Sequence, residues 1–306
     1  MAADPLAGKT VAGYRLERLL GRGAMAAVYA ARDAQGSAVA LKMLIGDAAR
    51  DRELIRRFER EAKLGARVAH PGLCAVLGSG VDRGIRWLAM TLIDGGAWDD
   101  RLDRHGAPAW TEAVRIVRAA GEAVAVLHRI GVIHRDLKPG NLLLGGDGRV
   151  AVIDLGFAKV PDERRTSDHG EEAAELTMNG VALGSPAYMP PEQVIDAKAV
   201  TPAADVYALA ATLFHGVAGK PPFHGGGAMQ IMTRVMNEVA PRLRSVRPDA
   251  PRALDALLHR CLHKDPAKRP ADADAFVREL DAVVAAPDRI GSDGWWARLR
   301  RWFGRG

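Results

Sequence analysis

Within His134-Arg135-Asp136-Leu137-Lys138-Pro139-Gly140-Asn141, one carboxylate, one ammonium and one carboxamide fall within six positions. A strand-like apolar run over 142–144 follows, then the turn Gly145-Gly146-Asp147-Gly148. A second apolar run over 150–153 delivers Asp154-Leu155-Gly156. Two acidic groups on short loops at the ends of neighbouring strands, with an asparagine between them, suit a divalent cation and phosphate. Hard ions such as Mg²⁺ take oxygen ligands and are commonly held by one or two carboxylates plus the substrate's phosphates.

The elements that must position these groups come before and after them. Residues 14–20 read as a strand that runs into Gly21-Arg22-Gly23-Ala24, and Val28 opens the return strand over 28–31. Glycines at a strand turn let the backbone approach phosphate and aim N–H groups at it. A plain hairpin turn is an equal reading of so short a motif. Residues 37–44 read as a strand with one lysine, Lys42, among apolar neighbours; a surface lysine on an edge strand is the plain alternative. A helix over 53–68 places Leu54, Phe58, Glu61, Ala62 and Gly65 on one face. A carboxylate on that apolar stripe calls for a partner, because an unpaired buried charge is costly.

Two further strands, 73–77 and 86–92, complete a five-stranded sheet, and Asp94-Gly95-Gly96 reads as a linker. Beyond it the pattern is helical. Residues 111–129 carry an apolar stripe that ends in Gly131, a fitting C-cap. Residues 205–219 form an apolar helix with Asp205 as an N-cap. Amphipathic helices over 251–263 and 271–285 flank Lys264-Asp265-Pro266-Ala267-Lys268-Arg269-Pro270.

A chain of 306 residues is long enough for two lobes. Cys74 and Cys261 give neither a disulfide framework nor a metal spacing, which favours a reducing setting. Residues 1–10 have no apolar core of a signal peptide, and no run reaches the ~18 apolar residues of a membrane span. The net charge of +6 does not mark a nucleic-acid protein. Half of it lies in residues 287–306, where five arginines face two aspartates, and the rest is spread through mixed-sign segments.

These motifs, taken in order, resemble the bacterial, eukaryotic-like (Hanks-type) serine/threonine members of the protein kinase family over 14–280. The resemblance implies an α+β, two-lobed kinase fold with a β-rich N-lobe and a larger helical C-lobe. Its divisions are an extension (1–13), an N-lobe (14–93), a C-lobe (94–286) and a tail (287–306). It also implies ATP and Mg²⁺ as cofactors. Asp136 would orient a protein hydroxyl and take its proton, Lys138 would neutralise the γ-phosphoryl oxygens, and Asn141 and Asp154 would hold Mg²⁺. Lys42 would contact the α/β-phosphates and pair with Glu61. Gly21, Arg22, Gly23 and Ala24 would cover the phosphates, with Ala26 standing where the family has a third glycine. Val28, Ala40 and Leu143 would line the nucleotide site, Met90 would gate the space behind it, and the backbone of Thr91 and Ile93 would read the adenine edge. Ser185, in Gly184-Ser185-Pro186-Ala187-Tyr188, would contact Asp136 and Lys138. Asp205 would anchor the catalytic loop, and Arg269 would pair with Glu192.

Lys138-Pro139 after the aspartate resembles the Ser/Thr branch rather than the tyrosine-specific one. The segment 154–192 is long and polar in its middle, with Thr166, Ser167 and Thr177 as acceptors. By resemblance, a phosphate on Thr177 or Thr166 would pair with Arg135 and order the segment, after autophosphorylation in a transient homodimer. In the tail, Trp295, Trp296, Leu299, Trp302 and Phe303 form an apolar stripe interleaved with arginines. A basic amphipathic helix over 291–306 suits an acidic membrane surface or partner, and docking on the chain's own C-lobe is an equal reading. The implied partners are protein substrates and not nucleic acid. The implied location is cytoplasmic, peripheral at the inner membrane face, with no sensor domain attached. The alternative functions are a catalytically weak kinase-fold scaffold that acts by binding, or a small-molecule phosphotransferase.

Overall fold

The computed structural model describes residues 6–23, 25–158 and 185–286. Its first part is an antiparallel sheet with strand order β1-β2-β3-β4-β6-β5. The strands are β1 (Thr10–Val11), β2 (Tyr14–Arg22), β3 (Ala26–Arg32), β4 (Ala38–Leu44), β5 (Val76–Asp82) and β6 (Ile85–Thr91). The sheet has six strands rather than the expected five. The extra one, β1, lies in the stretch expected to be an extension. It joins because Val11 is buried with Leu16, Tyr29 and Val39, and because the next amide, Ala12 N–H, donates to Asp82 Oδ2 at 2.7 Å.

The strand expected over 73–77 begins instead at Val76 and continues through Gly78 and Gly80. Glycine in a strand leaves no side chain to pack, but the Trp87 ring covers both positions, 3.6 and 3.1 Å from where their Cβ atoms would lie. Leu73 forms a parallel bridge to Val152 in the second part of the molecule.

Alternation along the strands gives the sheet two faces. Val28 pairs with Lys42, and Ala40 with Met90, on the face toward the cleft. Tyr29, Leu41, Met43 and Ala89 are buried on the other. Helix α1 (Arg52–Arg67) starts at an Asp51 cap, whose carboxylate accepts the N–H groups of Glu53 and Leu54. It packs Phe58 and Ala62 on Leu44 and Leu88. A Cβ on Gly65 would fall 2.3 Å from Val76 Cγ2, so this glycine sets how closely α1 approaches β5.

The second part is built on α3 (Trp110–Arg129) and carries α2 (Trp98–His105), the short antiparallel pair β7 (Leu142–Leu144) and β8 (Val150–Val152), and six later helices among the described residues. These are α4 (Pro191–Ile195), α5 (Ala203–Ala218), α6 (Ala228–Asn237), α7 (Leu243–Val246), α8 (Arg252–Cys261) and α9 (Ala273–Ala285). Its core buries Ile116, Val117, Val124 and Leu127 of α3 with Leu209, Leu213 and Phe214 of α5 and Phe276 of α9. Close contact depends on missing side chains: a Cβ on Gly121 would meet Val277, and one on Gly216 would meet Trp98, at 2.7 and 2.3 Å. No helix among the described residues is long and apolar enough to cross a membrane.

Candidate active site

On the sheet side, β4 presents Lys42 and α1 presents Glu61, and their side chains meet at 2.6 Å. Asp154 lies on the other flank of the ammonium, 3.8 Å away. Burial alone would lower the lysine's pKa, but Asp154 and Glu61 more than reverse this and hold it well above its ordinary value. Burial raises the Glu61 carboxyl against the pull of Lys42. Asp154 is held below the usual carboxylate range, because Lys42, His134 and the Gly156 N–H outweigh its burial.

Asp154 sits at φ 68° and ψ 73°. That left-handed conformation is uncommon for a non-glycine residue and is found at functional sites. Here it is supported by the Gly156 N–H, which donates to Asp154 Oδ1 at 3.3 Å.

The loop after α3 brings the second set together. Asp136 Oδ2 accepts from Lys138 Nζ and Asn141 Nδ2, both at 2.9 Å. Asn141 Nδ2 also donates to the Asp136 carbonyl at 2.6 Å. Burial pushes the Asp136 carboxyl above its ordinary value, and Lys138 opposes it. The expected contact between Ser185 and this pair is absent. Among the described residues the Ser185 hydroxyl bonds to neither Asp136 nor Lys138; Asp136 Oδ2 accepts from Lys138 and Asn141 instead. Two oxygen donors suit a hard divalent cation: the partly exposed Asp154 carboxylate and the Asn141 Oδ1, left over when Nδ2 turns to Asp136; the Ile153 N–H, which donates to the Asn141 carbonyl at 3.0 Å, ties their two stretches together. The described residues contain no group of three or more His, Cys, Asp or Glu that would cage a metal. A cation here would therefore draw its remaining ligands from phosphate and water.

Beneath the loop, Asp205 does not cap α5; the helix begins two residues earlier, at Ala203. Fully buried, its carboxylate accepts the backbone N–H groups of His134 at 2.8 Å and Arg135 at 2.9 Å, and His128 Nε2–H at 2.8 Å. His128 Nδ1 in turn accepts the Ala273 N–H of α9 at 3.2 Å. This histidine escapes a motif search, since it lies in the last turn of α3, six residues before His134. Its one signal was a histidine on the buried face near a lone buried aspartate. His134 Nε2 bonds to the Ile153 carbonyl at 3.1 Å, and Nδ1 lies 3.3 Å from the Asp136 N–H, so both ring nitrogens are engaged within the loop.

Arg135 also has a positive φ, 68°. Its carbonyl accepts from Gln193 Nε2 at 2.8 Å, and its guanidinium donates to the Ala197 carbonyl at 3.0 Å. Arg269 makes a two-pronged bond to Glu192, at 2.6 and 2.8 Å, and donates to the carbonyls of Ala203, His263 and Lys264.

The nucleotide-side residues fall around one cleft. Gly21 pairs with Val28, and Gly23 N–H donates to the Ala26 carbonyl at 2.9 Å. A Cβ on Gly21 would meet nothing within 4 Å, so the glycine leaves open space. Neither glycine has the positive φ that would demand it. Arg22 ends β2, and Leu143 sits half-buried between the buried Leu142 and Leu144. Met90 lines a small cavity of about 20 Å³ together with Glu61, Cys74 and Asp154, the room of about one water. The Thr91 carbonyl already accepts from Cys74 Sγ at 3.3 Å, and a carbonyl keeps a second lone pair. Among the described residues the Ile93 N–H has no acceptor. Ala24, Thr166, Thr177 and the tail 287–306 lie outside the described residues.

The comparisons agree with this geometry. A family model described as "Protein kinase domain" matches residues 14–279. The chain is 36% identical over 302 residues to the serine/threonine-protein kinase PknJ of Mycobacterium tuberculosis, covering 96% of this chain and 49% of that protein. It is 36% identical over 298 residues to the serine/threonine-protein kinase pkn3 of Myxococcus xanthus, covering 94% of this chain and 53% of that protein. The chain therefore spans about half the length of these curated relatives. Among solved structures, a mutant PknI kinase domain of Mycobacterium tuberculosis superposes with a TM-score of 0.69 at 30% identity, covering 93% of this chain and 100% of that one.

Proposed function

The chain belongs to the protein kinase family, and from that premise we propose that it is a serine/threonine protein kinase that moves the γ-phosphoryl group of ATP onto protein hydroxyls. The observation that carries this reading is the pairing of two polar sets across one cleft, Lys42–Glu61–Asp154 and Asp136–Lys138–Asn141. Phosphoryl transfer asks a protein mainly for positioning and charge neutralisation. Lys42, fixed between Glu61 and Asp154, supplies a cation for the inner phosphates. Asp136 presents Oδ1 to a substrate hydroxyl and takes its proton, while Oδ2 is held by Lys138 and Asn141. Lys138 turns to the transferring group once substrate is bound. The Ile93 N–H and the Thr91 carbonyl offer the donor and acceptor of an adenine edge. Asn141 Oδ1 and Asp154 would hold Mg²⁺, which when bound supplies charge neutralisation to the phosphates. The substrate class rests on the names of the relatives and on Lys138-Pro139.

The test is label transfer from radioactive ATP to a generic basic protein, with Asp136→Asn and Lys42→Met as controls. Wild-type transfer no higher than that of the two variants refutes the reading and leaves a binding scaffold. We also read Thr177 phosphate as the partner of Arg135, formed between two copies of the chain. Full activity with no phosphate anywhere in 166–177 would sink that idea. The tail is read as a contact for an acidic membrane surface, which would place the protein at the inner membrane face; liposome binding unchanged by deletion of 291–306 rules it out.

A further inference from the structure

The three acids of helix α1 are all committed to cations other than those of its outer face. Glu53 pairs with Arg57 one turn on, Glu61 pairs with Lys42, and Glu59 leans toward Arg86 at 3.9 Å. What remains is Arg52, Arg56, Lys63 and Arg67, at i, i+4, i+11 and i+15, a spacing that keeps them in one stripe. All four are exposed, and among the described residues none of them has an acidic partner. Glu61, nine residues after Arg52, stands on the opposite side of the helix, so the stripe faces away from the cleft. Like charges four apart weaken a helix, and the stripe holds two such pairs, Arg52/Arg56 and Lys63/Arg67. Helix α3, by contrast, sets Arg115 against Glu112 and Arg118 against Glu122.

The imbalance extends to the whole first part of the molecule. Residues 1–93 hold 15 lysines and arginines against 9 aspartates and glutamates, whereas residues 94–286 hold 23 against 26. A basic half joined to a slightly acidic one points to a polyanionic partner and turns the basic half toward it. The make-up of the stripe selects among polyanions. The only other exposed residues of α1 are Glu59 and Ala66. A protein interface is organised around buried aromatic and aliphatic anchors, and this face has none. Nor does α1 contain Ser, Thr, Asn or Gln, which supply many of the phosphate and base contacts of nucleic-acid proteins. Four cations spread over roughly 22 Å do not enclose a single phosphate. They match a broad anionic plane.

We propose that the outer stripe of α1 is a docking surface for an anionic lipid bilayer, with acidic headgroups set against Arg52, Arg56, Lys63 and Arg67. This contact is separate from the tail 287–306 and does not rest on the kinase reading. Each cation near an anionic leaflet raises affinity roughly fivefold. Because the stripe lies opposite Glu61, a chain seated this way keeps the Lys42–Glu61 side of the helix turned from the membrane.

The test is co-sedimentation of the full chain, at low salt, with vesicles of phosphatidylcholine mixed with phosphatidylserine. R52Q/R56Q/K63Q/R67Q should weaken binding by at least about a hundredfold, and each single substitution by about fivefold. E59Q removes the one acid standing among the four cations and should tighten binding about fivefold, a gain that loss of folding cannot imitate. Binding should vanish in 1 M salt, where the Debye length is about 3 Å, and with phosphatidylcholine alone. R101Q/R104Q/R129Q/R252Q makes the same change in net charge at exposed positions of the second part and should bind like the wild type. Thermal unfolding checks that each variant folds. Three results overturn the proposal. One is wild-type binding by the stripe variant with loss on deletion of 291–306, which assigns the membrane to the tail alone. The others are an equal loss in the control variant and tighter binding to a DNA duplex than to vesicles. No readout needs phosphoryl transfer, so failure here and failure of the kinase reading are seen separately.

Discussion

The two halves of the site are held in different ways. The loop carrying Asp136 is fixed from below by buried hydrogen bonds: Asp205 takes two of its backbone N–H groups, Gln193 takes a carbonyl, and Arg269 ties Glu192 to three carbonyls. In the other half Lys42 is fixed by the sheet, but helix α1, which carries Glu61, is held to it by one ion pair and by packing through four buried residues, Leu44, Phe58, Ala62 and Leu88. Unmade buried hydrogen bonds cost about 1–3 kcal/mol each, so the lower half is a poor place for movement. Helix α1 has far fewer such restraints on the sheet it packs against. The asymmetry assigns fixed geometry to the acceptor side and adjustable geometry to the nucleotide side.

Substitutions in each half can break or sharpen that contrast. The largest loss of stability is expected for Glu192→Ala, which leaves the buried Arg269 charge without its partner. Breaking a buried pair from one side costs about 3–5 kcal/mol, read as a lowered denaturation midpoint. Asp205→Ala strands three donors and should cost roughly 3 kcal/mol or more, while Asp205→Asn, which keeps one acceptor oxygen, should cost less.

The same aspartate predicts a pH signature. Burial would raise its carboxyl, but His128, His134 and the Arg135 N–H hold it below the usual range. Its contribution is therefore complete above the ordinary aspartate value near 4 and lost as pH falls through the lower folded value. Stability of Asp205→Asn should depend less on pH below about 4, measured by urea unfolding across that range.

In the upper half, Gly65→Val pushes on Val76. It should cost about 1–3 kcal/mol, felt more in kcat/KM than in the global transition. An equal fall in both would contradict the contrast. The smallest effect belongs to Lys138→Met. It removes the pull that opposes burial at Asp136, so the acid limb of residual activity should move to higher pH, with a stability loss smaller than that of Glu192→Ala because Asn141 still donates to Asp136 Oδ2.

Much of this was legible in the sequence where chemistry demands a particular side chain at a particular spacing. Lys42, Glu61, Asp136, Asn141 and Asp154 come together as their motifs suggest, and Arg269 meets Glu192. What was missed is decided by packing. Asp205 reads as a cap because an aspartate before an apolar run looks like one, yet Ala203 already continues the helix. Glycines at 78 and 80 hide a strand, because their support comes from Trp87 on the neighbouring strand. Helix α2 carries too few apolar residues in sequence to announce itself; it is recruited by Trp98 and Leu102. Among the described residues the Ser185 hydroxyl meets neither Asp136 nor Lys138, whose side chains bond to each other within the loop.

The bridge between Leu73 and Val152 has a mechanical consequence. Val152 N–H donates to the Gly72 carbonyl at 2.8 Å, and Cys74 N–H donates to the Val152 carbonyl at 3.1 Å. Residues 72–74 are thus fastened to β8 at the rear of the cleft, while the chain itself crosses at 94–96. A body joined to another at two separated points loses most of its freedom to twist and keeps rotation about the line between them. Relative motion of the two parts is therefore expected to be a nod about the axis from Leu73 to Gly95. Spin-label pairs set across and along that axis would read it as one broad and one narrow distance distribution; two broad ones would deny it.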